Sequence, residues 1–407
     1  MVRPERRTPT DLAIALLIVV VVAVGVVVVW YASSARRTTD VVAAQTAPVP
    51  EPLAALPTTL RPTWTAHSTE PFQVVAGTVV TGDGGTVSGI DATSGRSAWR
   101  YTRDEGLCGM ISNTSTILAF YPDARGCGEV TALDPGTGQR RYARSSREDA
   151  KVTLTTDGSY VAVQSASRVD VLRSDLVLTN EYGTPDVPVN PGTQPRSGCT
   201  QLSAMPAGTQ VAVLEHCPTE INPRLTLMAS VPKDSATPEV SVSTVIPALG
   251  TDDHVRIVGA VSNAVAVYVP PQNGRPARLE VLGTDGTVLT SRDIASGPSG
   301  APADVPITDE GGVLSFYTGE DTLVLDATTL ALRLIIPETR GPGAVIGNQI
   351  VVPGASTLTA YDLASGREGA AVPVSRPGYT AGPIITDTAG QTVVCQWGDT
   401  VQAYRAG

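Results

Sequence analysis

A three-strand pattern that recurs along the chain limits its possible folds more than any other feature. Residues 77–101, GTVVTGDGGTVSGIDATSGRSAWRY, read as three short strands separated by the turn signals DGG and DATSG. Residues 132–142 and 360–370 repeat the second turn closely, and residues 324–334 repeat it loosely. A single meander of this kind cannot bury its apolar face, so its recurrence predicts an array of stacked units.

The spacing of the repeat predicts an all-β, eight-bladed β-propeller. The residue that follows the third strand of a unit can be aligned at Asp91, Asp134, Arg173, Ala229, Gly283, Asp326, Asp362 and Arg405. The mean spacing of about 45 residues matches the four-stranded blade of a propeller. No helical pattern intervenes between the strands, which argues against a parallel sheet. The two longest spacings flank Ala229, so the fourth blade is expected to carry the longest loops, at residues 183–198 and 231–253.

A strand-like segment near the N-terminus is expected to close the ring. The eighth unit supplies only three strands of its own, whereas residues 63–67 (TWTAH) resemble the fourth strand around Trp99. Pairing this segment with the eighth unit would remove both open sheet edges. We therefore predict a propeller over residues 63–407, with the closing strand at 63–67, the blades from about residue 72, and Trp64 and Trp99 as residues of ring closure and blade docking.

The acidic residues of the repeat are interpreted as turn residues rather than catalytic groups. A carboxylate that occurs at the same hairpin in several blades is best explained by its hydrogen bonds to backbone N–H groups, and the glycine that follows closes the turn. The residues assigned to these turns are Asp91, Gly95, Asp134, Gly138, Asp326, Asp362 and Gly366.

The N-terminal region predicts a membrane anchor followed by a spacer. Residues 12–30 carry no charge and are long enough to cross a bilayer, so we assign residues 1–11 to the cytoplasm and 12–31 to a transmembrane helix that begins at Leu12 and ends at an interfacial Trp30 and Tyr31. A cleaved signal peptide is the alternative. Residues 32–62 are rich in Pro and Ala and are expected to form a semi-extended linker that packs against nothing and holds the propeller away from the bilayer.

The cysteines predict two disulfides and an oxidising compartment. Cys108 and Cys127, and likewise Cys199 and Cys217, occupy matching places in their units, so each pair is expected to form a disulfide within one blade. Such bonds place the propeller outside the cytoplasm, and the N-terminus inside it. Cys395 is expected to be a buried strand residue. The prediction is therefore a single-pass protein of the cell membrane with an extracytoplasmic propeller.

Charge and motif content exclude several kinds of function. The chain has a net charge of −10, which argues against a nucleic-acid partner. It has no nucleophile elbow and no Walker loop. Acidic spots at residues 252–254 and 309–310 lack the spacing of a calcium-binding hand. No catalytic residue, no cofactor-binding residue and no metal ligand is assigned.

The repeat of residues 77–101 resembles that of quinoprotein-like eight-bladed propellers, the family that includes proteins binding pyrroloquinoline quinone and the periplasmic propeller of the outer-membrane assembly machinery. The whole chain also resembles single-pass, Ala/Val-rich propeller proteins of mycobacteria and other actinobacteria. The resemblance implies that a catalytic member would hold its quinone against a Trp and a disulfide between adjacent cysteines, with calcium. This chain has no adjacent cysteines, so no cofactor is expected.

The leading functional hypothesis is a non-catalytic platform for protein interaction or envelope assembly, with an envelope protein as its partner. One alternative is an enzyme, either a degenerate quinoprotein or a glycan-acting protein. Another is a sensor that binds a small ligand in the central funnel. The tether, the missing cofactor residues and the enlarged fourth blade favour the platform.

Overall fold

The computed structural model describes residues 8–46, 49–185, 192–294, 301–302 and 305–407, with backbone only for residues 34 and 35. Over these residues an N-terminal helix is followed by eight antiparallel sheets, which are the blades of a β-propeller. The predicted eight-bladed, all-β architecture is confirmed.

Two strands precede the first blade, β1 (Thr39–Val41) and β2 (Leu60–His67). Blades 1 to 4 contain, in chain order, β3 (Gln73–Val75), β4 (Thr78–Asp83), β5 (Thr86–Asp91) and β6 (Ser97–Thr102); β7 (Gly109–Asn113), β8 (Thr116–Asp123), β9 (Gly126–Leu133) and β10 (Arg140–Ser145); β11 (Thr153–Thr156), β12 (Tyr160–Gln164), β13 (Arg168–Arg173) and β14 (Leu178–Gly183); β15 (Thr200–Ala207), β16 (Gln210–His216), β17 (Arg224–Ala229) and β18 (Val240–Val245).

A single 3₁₀ turn, Pro247–Leu249, follows blade 4 among the described residues. Blades 5 to 8 contain β19 (Arg256–Val261), β20 (Ala264–Val269), β21 (Arg278–Gly283) and β22 (Val288–Asp293); β23 (Thr308–Glu310), β24 (Val313–Tyr317), β25 (Thr322–Asp326) and β26 (Leu332–Ile336); β27 (Ala344–Ile346), β28 (Gln349–Pro353), β29 (Thr357–Asp362) and β30 (Glu368–Pro373); and β31 (Ile384–Ala389), β32 (Thr392–Trp397) and β33 (Thr400–Ala406).

The hydrophobic core lies between neighbouring blades. Each blade is a twisted meander whose two faces both carry apolar side chains, so each face is buried against the next blade. Between blades 1 and 2, for example, Trp99 and Tyr101 pack with Met110, Ile117 and Tyr121. Each blade therefore depends on both neighbours for its stability.

The meander also defines two faces of the propeller. The first strands of successive blades contact one another around the ring, except that β19 of blade 5 contacts the second strand β24 of blade 6, and they surround the central channel. All first strands run in the same direction, so the turns between first and second strands and between third and fourth strands lie at one end, which we call the upper face. The turns between second and third strands and the connections between blades lie at the other end, the lower face.

The ring is closed by β2, which is the fourth strand of blade 8. This strand pairs antiparallel with β33, from Leu60 opposite Ala406 to His67 opposite Thr400. The predicted closure by an N-terminal strand is confirmed, and the strand begins three positions before the predicted residue 63 because Leu60 and Arg61 also pair with β33.

Helix α1 (Pro9–Ala32) begins at a capping box formed by Thr8 and Asp11, and a short helix α2 (Ser34–Arg37) follows. The 24 residues of α1 span about 36 Å at 1.5 Å per residue. It is the one helix of the described chain that is long and apolar enough to cross a membrane, and its length and composition also fit a signal sequence. The arginines of residues 1–7 lie outside the described residues.

The predicted boundary residues of the helix are exposed. Leu12, Trp30 and Tyr31 have 60%, 55% and 55% of their surface accessible, and the Arg36 guanidinium lies 4.0 Å from the centroid of the Tyr31 ring.

The prediction that residues 32–62 form an unpacked spacer is wrong. Strand β1 adds a fifth strand to blade 1 by pairing with β6, because the outer strand of a blade presents unpaired backbone groups. Farther along, Leu56 is only 7% exposed because it packs against the apolar surface of blades 7 and 8. Arg37 forms an ion pair with Asp104 at 2.7 Å, so the end of the helix lies beside blade 1 and the linker does not hold the propeller at a distance.

Candidate functional site

Ile221, on the lower face of blade 4, is the most exposed large apolar side chain of the described residues. It is 77% exposed and lies in the loop of residues 217–223 (CPTEINP) that joins β16 to β17, which we call the Ile221 loop. The long loops of the fourth blade were expected at residues 183–198, of which 186–191 lie outside the described residues, and at 231–253; the Ile221 loop belongs to neither range.

Hydrogen bonds fix the backbone of the Ile221 loop on both sides of its tip. The Glu220 N–H donates to the Cys217 carbonyl at 2.9 Å. The Asn222 side-chain amide donates to the Gly250 carbonyl at 2.7 Å, which ties the loop to the connection between blades 4 and 5. The residues on either side of Ile221 are therefore both held in place.

The ends of the Ile221 loop are also anchored. Cys217 forms a disulfide with Cys199, which precedes the first strand of the same blade. Glu220 forms an ion pair with Arg224 at the start of β17. A loop held in one conformation loses little conformational entropy when a partner binds it.

A buried carboxylate supports the base of the loop. Glu215 is fully buried and accepts hydrogen bonds from the Tyr182 hydroxyl at 2.7 Å and the Thr226 hydroxyl at 2.6 Å, and its Oε1 lies 3.2 Å from Arg196 Nε. Burial raises the pKa of Glu215 in spite of these partners. The same burial raises the pKa of Tyr182. This network joins blade 3, blade 4 and the connection between them.

A histidine contacts the loop from its other side. His216 donates from Nε2 to the Glu220 carbonyl at 2.9 Å, and its Nδ1 lies 2.6 Å from the Asp253 carboxylate. The carbonyl of Glu220, followed by the carboxylate of Asp253, raises the pKa of His216. The acidic spot of residues 252–254 thus holds this histidine, and within it Asp252 lies 2.7 Å from His254 Nδ1.

Both predicted disulfides are present. Cys108 is bonded to Cys127 and Cys199 to Cys217. Cys108 and Cys199 each precede the first strand of their blade, whereas Cys127 is in the third strand β9 and Cys217 is in the turn between β16 and β17. Cys395 is a free, buried residue of β32, and burial raises the pKa of its thiol.

Trp99 docks blade 1 against blade 2. Its indole N–H donates to the Pro135 carbonyl at 2.8 Å, and the side chain is 1% exposed. Gly138 lies beneath the ring, where a Cβ would be 2.7 Å from the indole. The glycine of the repeat turn thus leaves the space into which the tryptophan of the preceding blade packs.

Trp64 makes the equivalent contact at the seam of the ring. Its indole N–H donates to the Ala92 carbonyl at 2.9 Å, and a Cβ on Gly95 would lie 2.5 Å from its ring. Blade 8 therefore docks on blade 1 as blade 1 docks on blade 2. Between blades 6 and 7 a leucine replaces the tryptophan, since Leu334 packs over Gly366.

The repeated aspartates lie at hairpin turns on the upper face. Each accepts a backbone N–H from the residue three positions later: Asp91 from Ser94, Asp134 from Thr137, Asp326 from Thr329 and Asp362 from Ser365. The Ser94 hydroxyl, with its N–H, holds the pKa of Asp91 below its usual value. Gly95, Gly138 and Gly366 adopt the left-handed conformation that closes these turns.

Comparison with known proteins agrees with this architecture. A family model described as outer membrane protein assembly factor BamB matches residues 40–184, which run from within β1 through β2 and the first three blades. BamB from Moraxella catarrhalis superposes with a TM-score of 0.51 at 15% identity and covers 85% of this chain and 100% of its own. The chain has a PQQ-like, eight-bladed propeller fold. Apo AztD from Citrobacter koseri gives a TM-score of 0.48 at 13% identity and covers 78% of this chain and 87% of its own. No curated protein sequence matches the chain.

The residues of this BamB-like propeller do not fit a quinone cofactor. The cysteines stand at positions 108, 127, 199, 217 and 395, so no adjacent pair exists. Trp64 and Trp99 are engaged between blades, and Trp397 is buried in the core of blades 7 and 8.

One trio of possible metal ligands lies close together among the described residues, and it consists of Cys199, Glu215 and Cys217. The two sulfurs are bonded to each other, so the trio offers a single carboxylate and not a thiolate site.

The sequence indicated an enlarged fourth blade but neither the loop nor the key residue of the site. The long spacings around Ala229 predicted extra length at residues 183–198 and 231–253, not in the Ile221 loop. Ile221 itself was missed, since one apolar residue in a Pro- and Glu-containing loop reads as an ordinary surface position. Its flanking residues, Pro218 to Pro223, carried the only available signal, because two prolines within a short loop favour a single backbone conformation.

Proposed function

We propose that this chain is a membrane-anchored, non-catalytic platform that binds a partner protein of the cell envelope through the Ile221 loop. The part of helix α1 from Leu12 to Trp30 and Tyr31 is the anchor. The N-terminus lies in the cytoplasm, and the propeller lies outside it.

The proposal rests on the exposure of Ile221 at the tip of a loop whose neighbours are all fixed. An apolar side chain held rigidly in solvent is pre-organised to enter a pocket, and binding energy at interfaces concentrates on such anchors. His216, which contacts the Glu220 carbonyl and the Asp253 carboxylate, places polar groups at the base of the same loop, as expected for the polar rim of a protein interface.

Two further observations support a protein partner. The family model that matches the first three blades is described as an assembly factor, which favours binding over turnover of a small substrate. The absence of a quinone-binding residue set from the sequence agrees with a non-catalytic role.

The disulfides support the orientation. Bonds between Cys108 and Cys127 and between Cys199 and Cys217 persist in an oxidising compartment, which supports an extracytoplasmic propeller. A reporter fused after Gly407 that is active only outside the cytoplasm should therefore be active, and activity of a cytoplasmic reporter there would contradict the orientation.

Site-specific photo-crosslinking tests the interface. A photoreactive phenylalanine analogue in place of Ile221, in the full chain in its own membrane, should give a discrete adduct with one protein. Leu289, which is 58% exposed on the outer strand β22, is the matched control position and should give no such adduct.

Substitution provides the second arm of this test. Ile221→Asp should abolish capture of that protein by the tagged full chain, whereas Leu289→Asp should leave capture unchanged. Both variants should unfold at the wild-type temperature because neither side chain is in the core. Full capture by Ile221→Asp would contradict the assignment of the Ile221 loop.

A further inference from the structure

Residues 49–57 (VPEPLAALP) lie across the upper face like a bound peptide. This segment, which we call the strap, follows β1 and leads into β2. Just before it, the Ala43 N–H donates to the Thr137 carbonyl on the outer turn of blade 2. The chain thus enters the upper face at blade 2 and leaves it at blade 8.

The first contact of the strap is with two turns at the rim of the channel. The Pro50 ring lies over Gly77, in the turn between β3 and β4, and over Gly390, in the turn between β31 and β32. A Cβ on these glycines would be 2.3 Å and 2.4 Å from the ring. Both turns join a first strand to a second strand, so they belong to the rim of the upper channel mouth.

A side-chain amide then holds the strap backbone. Gln391 donates from Nε2 to the carbonyls of Glu51 and Pro52, at 3.0 Å and 3.1 Å. Proline-rich segments are extended and have no internal hydrogen bonds, so their carbonyls are free for recognition. The Gln391 amide, which donates to two successive carbonyls, therefore binds the backbone of an extended peptide and not its side chains.

Apolar anchors complete the contact. Leu53 and Leu56 pack into the cluster formed by blades 7 and 8, and Leu56 is 7% exposed. Between them, the Ala54 carbonyl oxygen lies over Gly347, in the turn between β27 and β28, where a Cβ would be 2.2 Å away. Three rim turns in neighbouring blades thus carry a glycine at the place where the strap passes.

We propose that the rim formed by blades 7, 8 and 1 is a binding site for an extended, proline-rich peptide with leucine anchors, and that the strap occupies it in cis. The external ligand is a segment of a partner protein with the pattern of Pro50, Pro52, Leu53 and Leu56. Because the strap is tethered at both ends, its effective concentration is on the order of millimolar or higher, and a free peptide must compete against it.

The test uses the full chain in detergent and a fluorescein-labelled peptide with the sequence of residues 46–59. Wild type should bind the peptide weakly, since the strap fills the rim. Leu56→Asp should weaken the strap in cis and increase peptide affinity at least tenfold. Pro50→Ala with Leu53→Ala, which leaves Leu56 in the core, is a second opened chain and should show the same gain.

A third substitution tests the rim itself. Gln391→Ala, added to either opened chain, should remove most of the gained affinity without changing the unfolding temperature, because Gln391 is exposed. If neither opened chain binds the peptide more tightly than wild type, the rim is not a peptide site. If the chain is a dimer that the peptide converts to monomers, the strap is exchanged between copies and the cis assignment is wrong.

Discussion

At the scale of single residues, the tryptophan–glycine pairs show how a repeat encodes contacts between units. Trp99 and Gly138 belong to different blades, yet each is conspicuous in its own unit, the first as a large aromatic residue on a fourth strand and the second as a turn glycine. Trp64 and Gly95 repeat the pair. The glycine serves two purposes, since it adopts a left-handed turn and leaves room for the indole.

Trp99→Ala should therefore destabilise the propeller by about 3–5 kcal/mol, the usual range for removal of a large buried aromatic side chain. Trp64→Ala should cost less, because Trp64 is partly exposed while Trp99 is 1% exposed. Urea unfolding of the two variants measures both changes. A larger loss of unfolding free energy for Trp64→Ala would show that closure of the ring between blades 8 and 1, and not the buried area of the tryptophan, controls stability.

The protonation of His216 should control how firmly the Ile221 loop is held. Only the charged imidazole donates from both nitrogens, to the Glu220 carbonyl and to Asp253. Because the folded-state pKa of His216 is raised, this contribution is complete below the ordinary pKa of 6.5 and is lost as the pH rises through the folded-state value.

Hydrogen exchange over residues 217–223, corrected for intrinsic rates, should accordingly be slower near about pH 6 than near about pH 8. His216→Asn should remove this difference. His254→Asn is the control, since the hydrogen bonds of His254 go to Asp252, which lies outside the Ile221 loop. Equal protection at the two pH values in wild type would rule out the histidine as a clamp.

At the scale of elements, the two disulfides are a natural pair for comparison. They close loops of similar length, with sequence separations of 19 and 18, and both link the residue before a first strand to the lower-face end of the second and third strands, in blades 2 and 4. Only the second bond ends in the Ile221 loop. Their effects on stability should be alike, and their effects on binding should differ.

Replacing either pair of cysteines by serine should cost about 3 kcal/mol, from the freedom regained by the unfolded chain. Only Cys199→Ser with Cys217→Ser should also weaken capture of the partner through Ile221, because the loop loses one anchor. Unfolding midpoints and crosslinking yield at position 221 provide the two measurements. Equal loss of capture in both double variants would mean that global stability, and not the loop, governs binding.

At the scale of the whole molecule, the fold was more predictable from the sequence than the site. The positions of Asp91, Asp134 and Asp362 set the blade spacing because a turn is a local interaction, written in a few adjacent residues. The strap was misread because its proline-rich composition indicates an extended chain but does not show what lies beside it. Leu56 is buried only because residues about three hundred positions away form the surface beneath it.

Removal of the closing strand should therefore be far more damaging than its length suggests. A chain that begins at Phe72 lacks β2 and leaves β33 as an open edge, while one that begins at Leu60 keeps the full ring. Thermal unfolding should show a clearly lower midpoint for the shorter chain, with aggregation. Equal midpoints would mean that the β2–β33 pairing adds little to stability.

The pairing of β2 with β33 has a consequence for synthesis. Thr63 and Ala403, which are joined by a hydrogen bond across the seam, are 340 positions apart. At about 5–20 residues per second, roughly 20 to 70 seconds pass between the translation of these two residues. Throughout that interval β2 has no partner strand, and blade 1 lacks blade 8, the neighbour whose Trp64 packs over Gly95. A nascent chain with this closure therefore has to be kept from pairing with other sheet edges until its final blade has been made, and a chaperone that shields β2 would act in that interval.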